Sequence, residues 1–235
     1  MDTGARADAS SYGKFKMAPV LPASLMRIEK LVLPPLDNNV YLVVDEGSQQ
    51  AAVVDPALGA SEIQAKLQEL GAKLTYILNT HGHPDHSADD EPLRKATGAR
   101  LAIFEVDAYR LERNAREPRW FLPAPPPPAK PDILLKEGTP VTIGGIVLTT
   151  LHTPGHTEGS CCFYEPASRT LFSGDTLFRG SCGRTDVAGG SPARIVSSLQ
   201  RLAKLPPETR VLPGHGPETT IAAETWIADL AYPVV

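Results

Sequence analysis

Residues 80–86 read Thr80-His81-Gly82-His83-Pro84-Asp85-His86, and they follow at once on an apolar stretch, residues 74–78. The chain has 6 histidines among its 235 residues, and three of them fall inside this one heptapeptide. Imidazole and carboxylate suit zinc, iron or manganese, so the segment predicts a metal centre. Residues two apart on extended chain point the same way, which lets His81 and His83 grip one ion. Asp85 and His86 are expected in the loop that follows, where the backbone re-aims them. One ion takes about four donors, so these four either fill one site or begin two. The apolar stretch reads as a buried strand with the cluster at its carboxyl end, where open αβ sheets bind ligands.

Outward from that strand the patterning alternates. Residues 39–45 and 51–54 predict a hairpin turning at Glu46-Gly47-Ser48. Ser61 with Gln64 predicts a capping box for a helix with Ile63, Leu67 and Leu70 on one face, stopped by Gly71. A short helix over 91–97, a strand over 100–104 and a helix over 107–113 follow. The proline run at 123–131 (PAPPPPAKP) predicts an extended crossover between two halves. In the second half, strands are expected at 141–143, 146–151, 161–164 and 170–172. Ser191-Pro192 opens a helix burying Ile195, Leu199 and Leu202. A strand at 210–212 and a closing helix over 219–230 complete the chain. Two strand-rich halves, each with helices, imply two packed sheets sandwiched by helices in a single domain over 25–235. Residues 1–24, with scattered charge and no apolar stretch, read as a disordered leader.

Composition narrows the function. Hydrophobic residues make up 42% and charged residues 21%, an ordinary globular balance, and the net charge of −4 argues against a nucleic-acid partner. No apolar run approaches the roughly 20 residues that span a bilayer, so no membrane partner is expected. The 3 cysteines are an odd number and Cys161 and Cys162 are adjacent. Neighbours on a strand face opposite ways and cannot readily bridge, so a reducing compartment, the cytoplasm, is expected.

Further donors end predicted strands at glycine turns: Pro154-Gly155-His156-Thr157, Ser173-Gly174-Asp175-Thr176 and Pro213-Gly214-His215-Gly216. Glycine allows the sharp turn and close approach that a ligand site needs. A lone histidine such as His215 is more often a surface or core residue, but its place in this series makes it a candidate ligand. His152, the one histidine left over, reads as structural or as support for a ligand. Asp55 either orients a ligand or begins the turn at Pro56. Cys182 has no spare histidine to activate it and reads as an inert thiol.

The four blocks, in this order, resemble the metallo-β-lactamase superfamily, and the resemblance runs roughly from residue 31 to residue 225. It implies an α+β fold, an αββα sandwich of two mixed β-sheets flanked by helices, with a dinuclear site. It assigns His81, His83 and His156 to one ion, Asp85, His86 and His215 to the other, and Asp175 to both. Two divalent ions are implied, zinc first, with iron or manganese open. Cations lower the pKa of bound water from 15.7 to about 7, which gives a hydroxide nucleophile held between them. Asp85 would orient it as the catalytic carboxylate, and one ion would stabilise the oxyanion. No separate general acid is visible, which favours a thiolate leaving group with a parent pKa of about 8.5.

Within the superfamily the chain looks most like the short, single-domain form of the glyoxalase II group, the hydroxyacylglutathione hydrolases. Leu36-Asp37-Asn38-Asn39-Val40-Tyr41, Val53-Val54-Asp55-Pro56, and the run from Gly174 to Phe178 followed by Cys182-Gly183-Arg184 carry that likeness. Arg184 stands where the group places a base for the glutathione carboxylate, so a glutathione-based thioester is the implied small-molecule partner. Asp186 and Pro217 stand where the longer enzymes have tyrosines, and the helical domain those enzymes add is not expected here. The rival reading is a persulfide dioxygenase with one iron on His81, His156 and Asp175, because those enzymes share the segment from Cys182 to Asp186. β-Lactam or lactone hydrolysis is a minor alternative.

Overall fold

Strand periodicity, acting twice, builds four layers. The computed structural model describes residues 25–117 and 120–230; the leader expected over 1–24 lies outside them. The first sheet contains β1 (Met26–Leu33), β2 (Asn38–Asp45), β3 (Gln50–Val54), β4 (Lys73–Asn79), β5 (Arg100–Phe104) and β6 (Ile133–Leu135) in that spatial order. β1 to β3 pair antiparallel, and β3 to β6 parallel. Helices α1 (Ala60–Leu70), α2 (Pro84–Ser87), α3 (Asp90–Thr97) and α4 (Ala108–Asn114) lie between its strands in sequence. The second half supplies β7 (Pro140–Ile143), β8 (Ile146–His152), β9 (Cys161–Glu165), β10 (Thr170–Gly174), the ribbon β11 (Leu177–Phe178) and β12 (Ser181–Cys182), α5 (Pro192–Leu202), β13 (Arg210–Pro213) and β14 (Thr219–Thr220). Its main sheet runs β14-β13-β10-β9-β8-β7, with only β10 and β13 parallel.

Alternate residues of β2 enter different cores, as a period of two requires. Val40, Leu42 and Val44 pack with Ile63 and Leu67 of α1 and Leu93 of α3 on the outer face. Tyr41 and Val43 join Phe163, Phe172 and Leu212 between the sheets. On the far side Leu171 and Val211 pack against Ile195, Leu199 and Leu202 of α5. Cys161 lies in the inter-sheet core and Cys162 in the outer one, and all three cysteines are free. The result is the expected αββα sandwich of two mixed sheets. Phe172 is wholly buried and meets the Tyr41 ring edge-on at 5.5 Å. Phe172→Ala is expected to cost roughly 3–5 kcal/mol and to lower the melting temperature by about 10 °C in a thermal scan.

Several local expectations are corrected. α1 begins at Ala60 with Gly59 as its cap, and Ser61 bonds to Glu62 instead of capping. The first free amide of the helix, Ala60 N–H, is taken by the Asp89 carboxylate at 2.8 Å, so a distant side chain replaces the local cap. The helix expected over 219–230 is β14 and two 3-10 turns, Ile221–Ala223 and Thr225–Asp229. Thr219 pairs with Val211, and Glu224 accepts from Gly180 N–H and the Trp226 indole, contacts that override local helical pattern. β1 and β6 had no predicted counterpart. Because β6 still belongs to the first sheet, the proline run does not join the two halves directly. The chain crosses to the second sheet over residues 136–139.

Candidate metal centre

The donor-bearing loops meet at one end of the sandwich. β4 ends at Asn79 and delivers His81 and His83; β8, β10 and β13 end just before His156, Asp175 and His215. The two sheets are laced there by Asn39, whose backbone N–H donates to the Gly214 carbonyl and whose side chain donates to the Pro213 carbonyl, both at 2.8 Å. Asp85 and His86 do not lie in a loop. They belong to α2, a single turn with His83 as its cap and Pro84 in the first position, where proline's fixed φ and missing N–H cost nothing. That turn lifts both side chains towards the loops of the second sheet.

Two donor clusters result. In the first, His83 Nδ1 lies 3.1 Å from His81 Nε2 and 2.8 Å from His156 Nε2. In the second, Asp85 Oδ2 lies 3.3 Å from His86 Nε2 and 3.5 Å from His215 Nε2. Asp175 stands between them, Oδ1 at 3.4 Å from His86 Nε2 and Oδ2 at 3.5 Å from His156 Nε2 and 3.8 Å from His215 Nε2. Donors about 2.0–2.1 Å from a tetrahedral ion sit about 3.4 Å from each other, so the spacings suit a shared cation.

The outward nitrogens decide where the lone pairs point. His156 Nδ1 meets the Arg184 carbonyl at 2.8 Å, and His215 Nδ1 meets the Leu36 carbonyl at 3.2 Å. A carbonyl only accepts, so each Nδ1 carries the proton and each Nε2 lone pair faces inward. His86 Nδ1 donates to Asp55 Oδ2 at 3.1 Å, and His81 Nδ1 meets Thr80 Oγ1, which itself donates to Asp55 Oδ2 at 2.7 Å. Asp55 therefore supports a histidine in each cluster. Meanwhile His86 Nε2 and Asp175 Oδ1, both buried, have no hydrogen-bond partner among the described residues. Converging lone pairs and orphaned buried atoms are what a cation would satisfy, so the residues fit a metal.

Electrostatics agree. Burial, and then the neighbouring imidazoles, push His81 well below its usual range, and burial with His156 pushes His83 down to about 3. Both shifts favour the neutral, donor form of the imidazole. For His86 burial opposes the charge, yet Asp175 and Asp85 outweigh it and raise its pKa well above the usual value, so an ion bound at this cluster would take the place of a proton on Nε2. Burial likewise opposes the charges on Asp85 and Asp175, but His86 holds both carboxyls down. Close approach at the centre depends on glycine: a Cβ at Gly174, where φ is +48°, would lie 2.2 Å from Thr80 Oγ1, and one at Gly214 would lie 2.5 Å from Asp175 Oδ1.

The centre opens into a cleft of about 720 Å³ bordered by His83, Asp85, His156, Asp175 and His215. Arg184 lines it too, with its guanidinium exposed and doubly bonded to Asp186 at 2.7 and 2.8 Å. Arg179 and Tyr164 do not line it. Arg110, Asn114, Phe121 and Phe178 do, and only Phe178 lay in a recognised block. His152 stacks on Phe104 at 4.1 Å and its Nε2 meets the Glu158 carbonyl, away from both clusters. Cys182 lines the cleft half-buried, and burial pushes its thiol up, away from the thiolate a nucleophile needs. Cys182→Ala is expected to keep its metal and at least half of its turnover, as metal analysis and an activity assay would show.

The family model of the metallo-beta-lactamase superfamily matches residues 33–215. A hydroxyacylglutathione hydrolase of Rhodospirillum rubrum is 37% identical over 76% of this chain, which covers 62% of that protein. The chain thus spans about two thirds of the length of the hydrolases of that name that it matches. Among solved structures, the BLEG-1 B3 metallo-beta-lactamase is 33% identical with a TM-score of 0.78, covering 84% of this chain and 96% of its own. TTHA1623 in a di-iron-bound form is 40% identical with a TM-score of 0.74, over 83% and 96%. ETHE1 from Myxococcus xanthus is 27% identical with a TM-score of 0.68, over 89% and 93%. The match over residues 33–215 begins in the first strand and closes on the last of the clustered donors, His215, and on that ground the chain belongs to the metallo-beta-lactamase superfamily.

Proposed function

We propose that the protein is a metal-dependent thioesterase acting on hydroxyacylglutathione-type thioesters, with His81, His83 and His156 holding one ion, Asp85, His86 and His215 the other, and Asp175 both. The observation that carries this reading is Asp175, whose two oxygens face the two clusters at 3.4 and 3.5 Å. Bound there, two divalent cations, zinc in the first instance, supply a hydroxide at neutral pH and a Lewis acid for the substrate carbonyl. Asp85, whose Oδ2 accepts from the Asn38 amide at 3.2 Å, orients the attacking water. Arg110, Arg113 and Arg184 border the cleft and each is paired with a carboxylate, so none is a ready proton donor. A thiolate, with a parent pKa of about 8.5, leaves without one, whereas an amide nitrogen does not. Arg184 at the rim recognises the glutathione carboxylate by exchanging Asp186 for it. The name borne by the Rhodospirillum rubrum relative supports the glutathione thioester. Three free cysteines support the cytoplasm as the compartment. No helix of the described residues is long and apolar enough to cross a membrane.

A second reading has its own support. The segment from Cys182 to Asp186 resembles that of the persulfide dioxygenases, and TTHA1623, a 40% identical chain, holds iron, there as two ions. On this reading the protein is a persulfide dioxygenase with a single iron on His81, His156 and Asp175. Metal analysis of the purified protein, with S-lactoylglutathione hydrolysis assayed beside oxygen uptake on glutathione persulfide, separates the two. Two ions and thioester turnover are expected; one iron with oxygen consumption overturns the first reading.

A further inference from the structure

The first cluster takes its imidazoles from two separate loops, residues 81–83 and the loop that carries His156. Asp107, which ends the 3-10 turn Glu105–Asp107 ahead of α4, lies wholly buried between them. Its Oδ2 accepts from Gly82 N–H at 2.9 Å and from the Thr157 hydroxyl at 2.7 Å. Its Oδ1 accepts from Gly159 N–H at 2.9 Å and from Arg110 Nε–H at 3.1 Å. One carboxylate thus grips the residue between His81 and His83 and the residue beside His156.

The surroundings are shaped for this grip. A Cβ on Gly82 would come within 2.7 Å of Arg110 Cβ, and one on Gly159 within 2.6 Å of Asp107 N, so both loops approach only as glycine. Asn114 of α4 fastens the other side of Gly82, donating to its carbonyl at 2.9 Å. Arg110 balances the buried charge and ties the arrangement to Glu158 and to the Ala188 carbonyl on the cleft wall. The second cluster has other supports: Asp55 for His86, the Leu36 carbonyl for His215 and Asn38 for Asp85.

We infer that Asp107 is a positioning residue for the three-imidazole cluster alone, holding its two loops at the separation one cation needs. The inference rests on the dinuclear reading above. Outer partners of metal ligands are worth roughly 10–100-fold in metal affinity. The test strips the full-length protein with chelator and retitrates it with zinc against a competing chelator, with circular dichroism to follow folding. Asp107→Asn and Thr157→Val are expected to weaken one of two ions roughly 10–100-fold and leave the other unchanged, while Thr157→Ser, which keeps the hydroxyl, restores both. Should Asp107→Asn fail to fold, the valine and serine pair at Thr157 decides. Adding His215→Ala identifies the ion concerned, since a double variant that holds neither ion tightly places the first defect in the three-imidazole cluster. Two ions bound by Thr157→Val at wild-type affinity, or both weakened alike, overturn the inference and leave the dinuclear reading standing. A wild-type chain that takes up fewer than two ions overturns both.

Discussion

Asp175→Ala is expected to leave the chain with less than one ion and to lower hydrolysis by more than about 100-fold. Partners one shell out from a metal are worth up to about 100-fold, and Asp175 is a candidate ligand of both ions, so its loss exceeds that figure. Its geometry has no substitute. Oδ1 reaches His86 at 3.4 Å and Oδ2 reaches His156 at 3.5 Å, whereas Asp85 faces only the second cluster. Alanine adds no bulk beneath Gly214, which packs against this carboxylate, so the fold is expected to survive. Metal analysis after dialysis, with thioester turnover beside it, makes the check. An alanine variant with its full complement of metal would show that Asp175 does not bridge.

Asp55→Asn is the second substitution with a large expected effect, and its effect spreads over both ions. Oδ1 accepts from Thr80 N–H at 2.8 Å; Oδ2 accepts from the Thr80 hydroxyl and from His86 Nδ1. An amide has one acceptor oxygen, so one side of this arrangement meets an N–H facing an N–H. Either Thr80 N–H is stranded, at about 1–3 kcal/mol, or the supports of His86 and of Thr80, behind His81, are lost together. The backbone itself tolerates the change, because Asp55 has φ of +52°, a region that asparagine enters readily. Both ions are expected to bind roughly 10–100-fold more weakly, in contrast to the single ion affected at Asp107. Competition titration of the two variants side by side measures the difference.

The chain announced its donors and concealed their supports, for a physical reason. A metal site demands particular side chains, and backbone geometry places several of them close in sequence, so the run from His81 to His86 was legible at once. Residues that orient those donors have no such restriction. Asp107 reads as one acid among 27 acidic residues, and nothing within its own segment shows that it will meet Gly82 and Thr157. Asp55 was a borderline case, visible as an aspartate ending a strand but ambiguous until its partner across the sheet was known. The same division appears in the fold. α5 followed its own cap, Ser191, and its own apolar face, whereas α1 took its cap from Asp89 and residues 219–230 gave up a helix for contacts with Gly180 and Val211.

What the sequence determined by itself, then, was the inventory and the layering. Periods of two and of three to four residues sort apolar side chains into three cores, and that sorting needs only the chain's own order. What the tertiary structure alone decided was orientation: which nitrogen of His86, His156 and His215 faces the centre, and which residues outside the donor motifs, Arg110 and Asn114 among them, border the cleft. Each depends on hydrogen bonds between segments tens of residues apart, such as His86 to Asp55, His156 to Arg184 and Asn114 to Gly82, and such bonds exist only once the chain has folded.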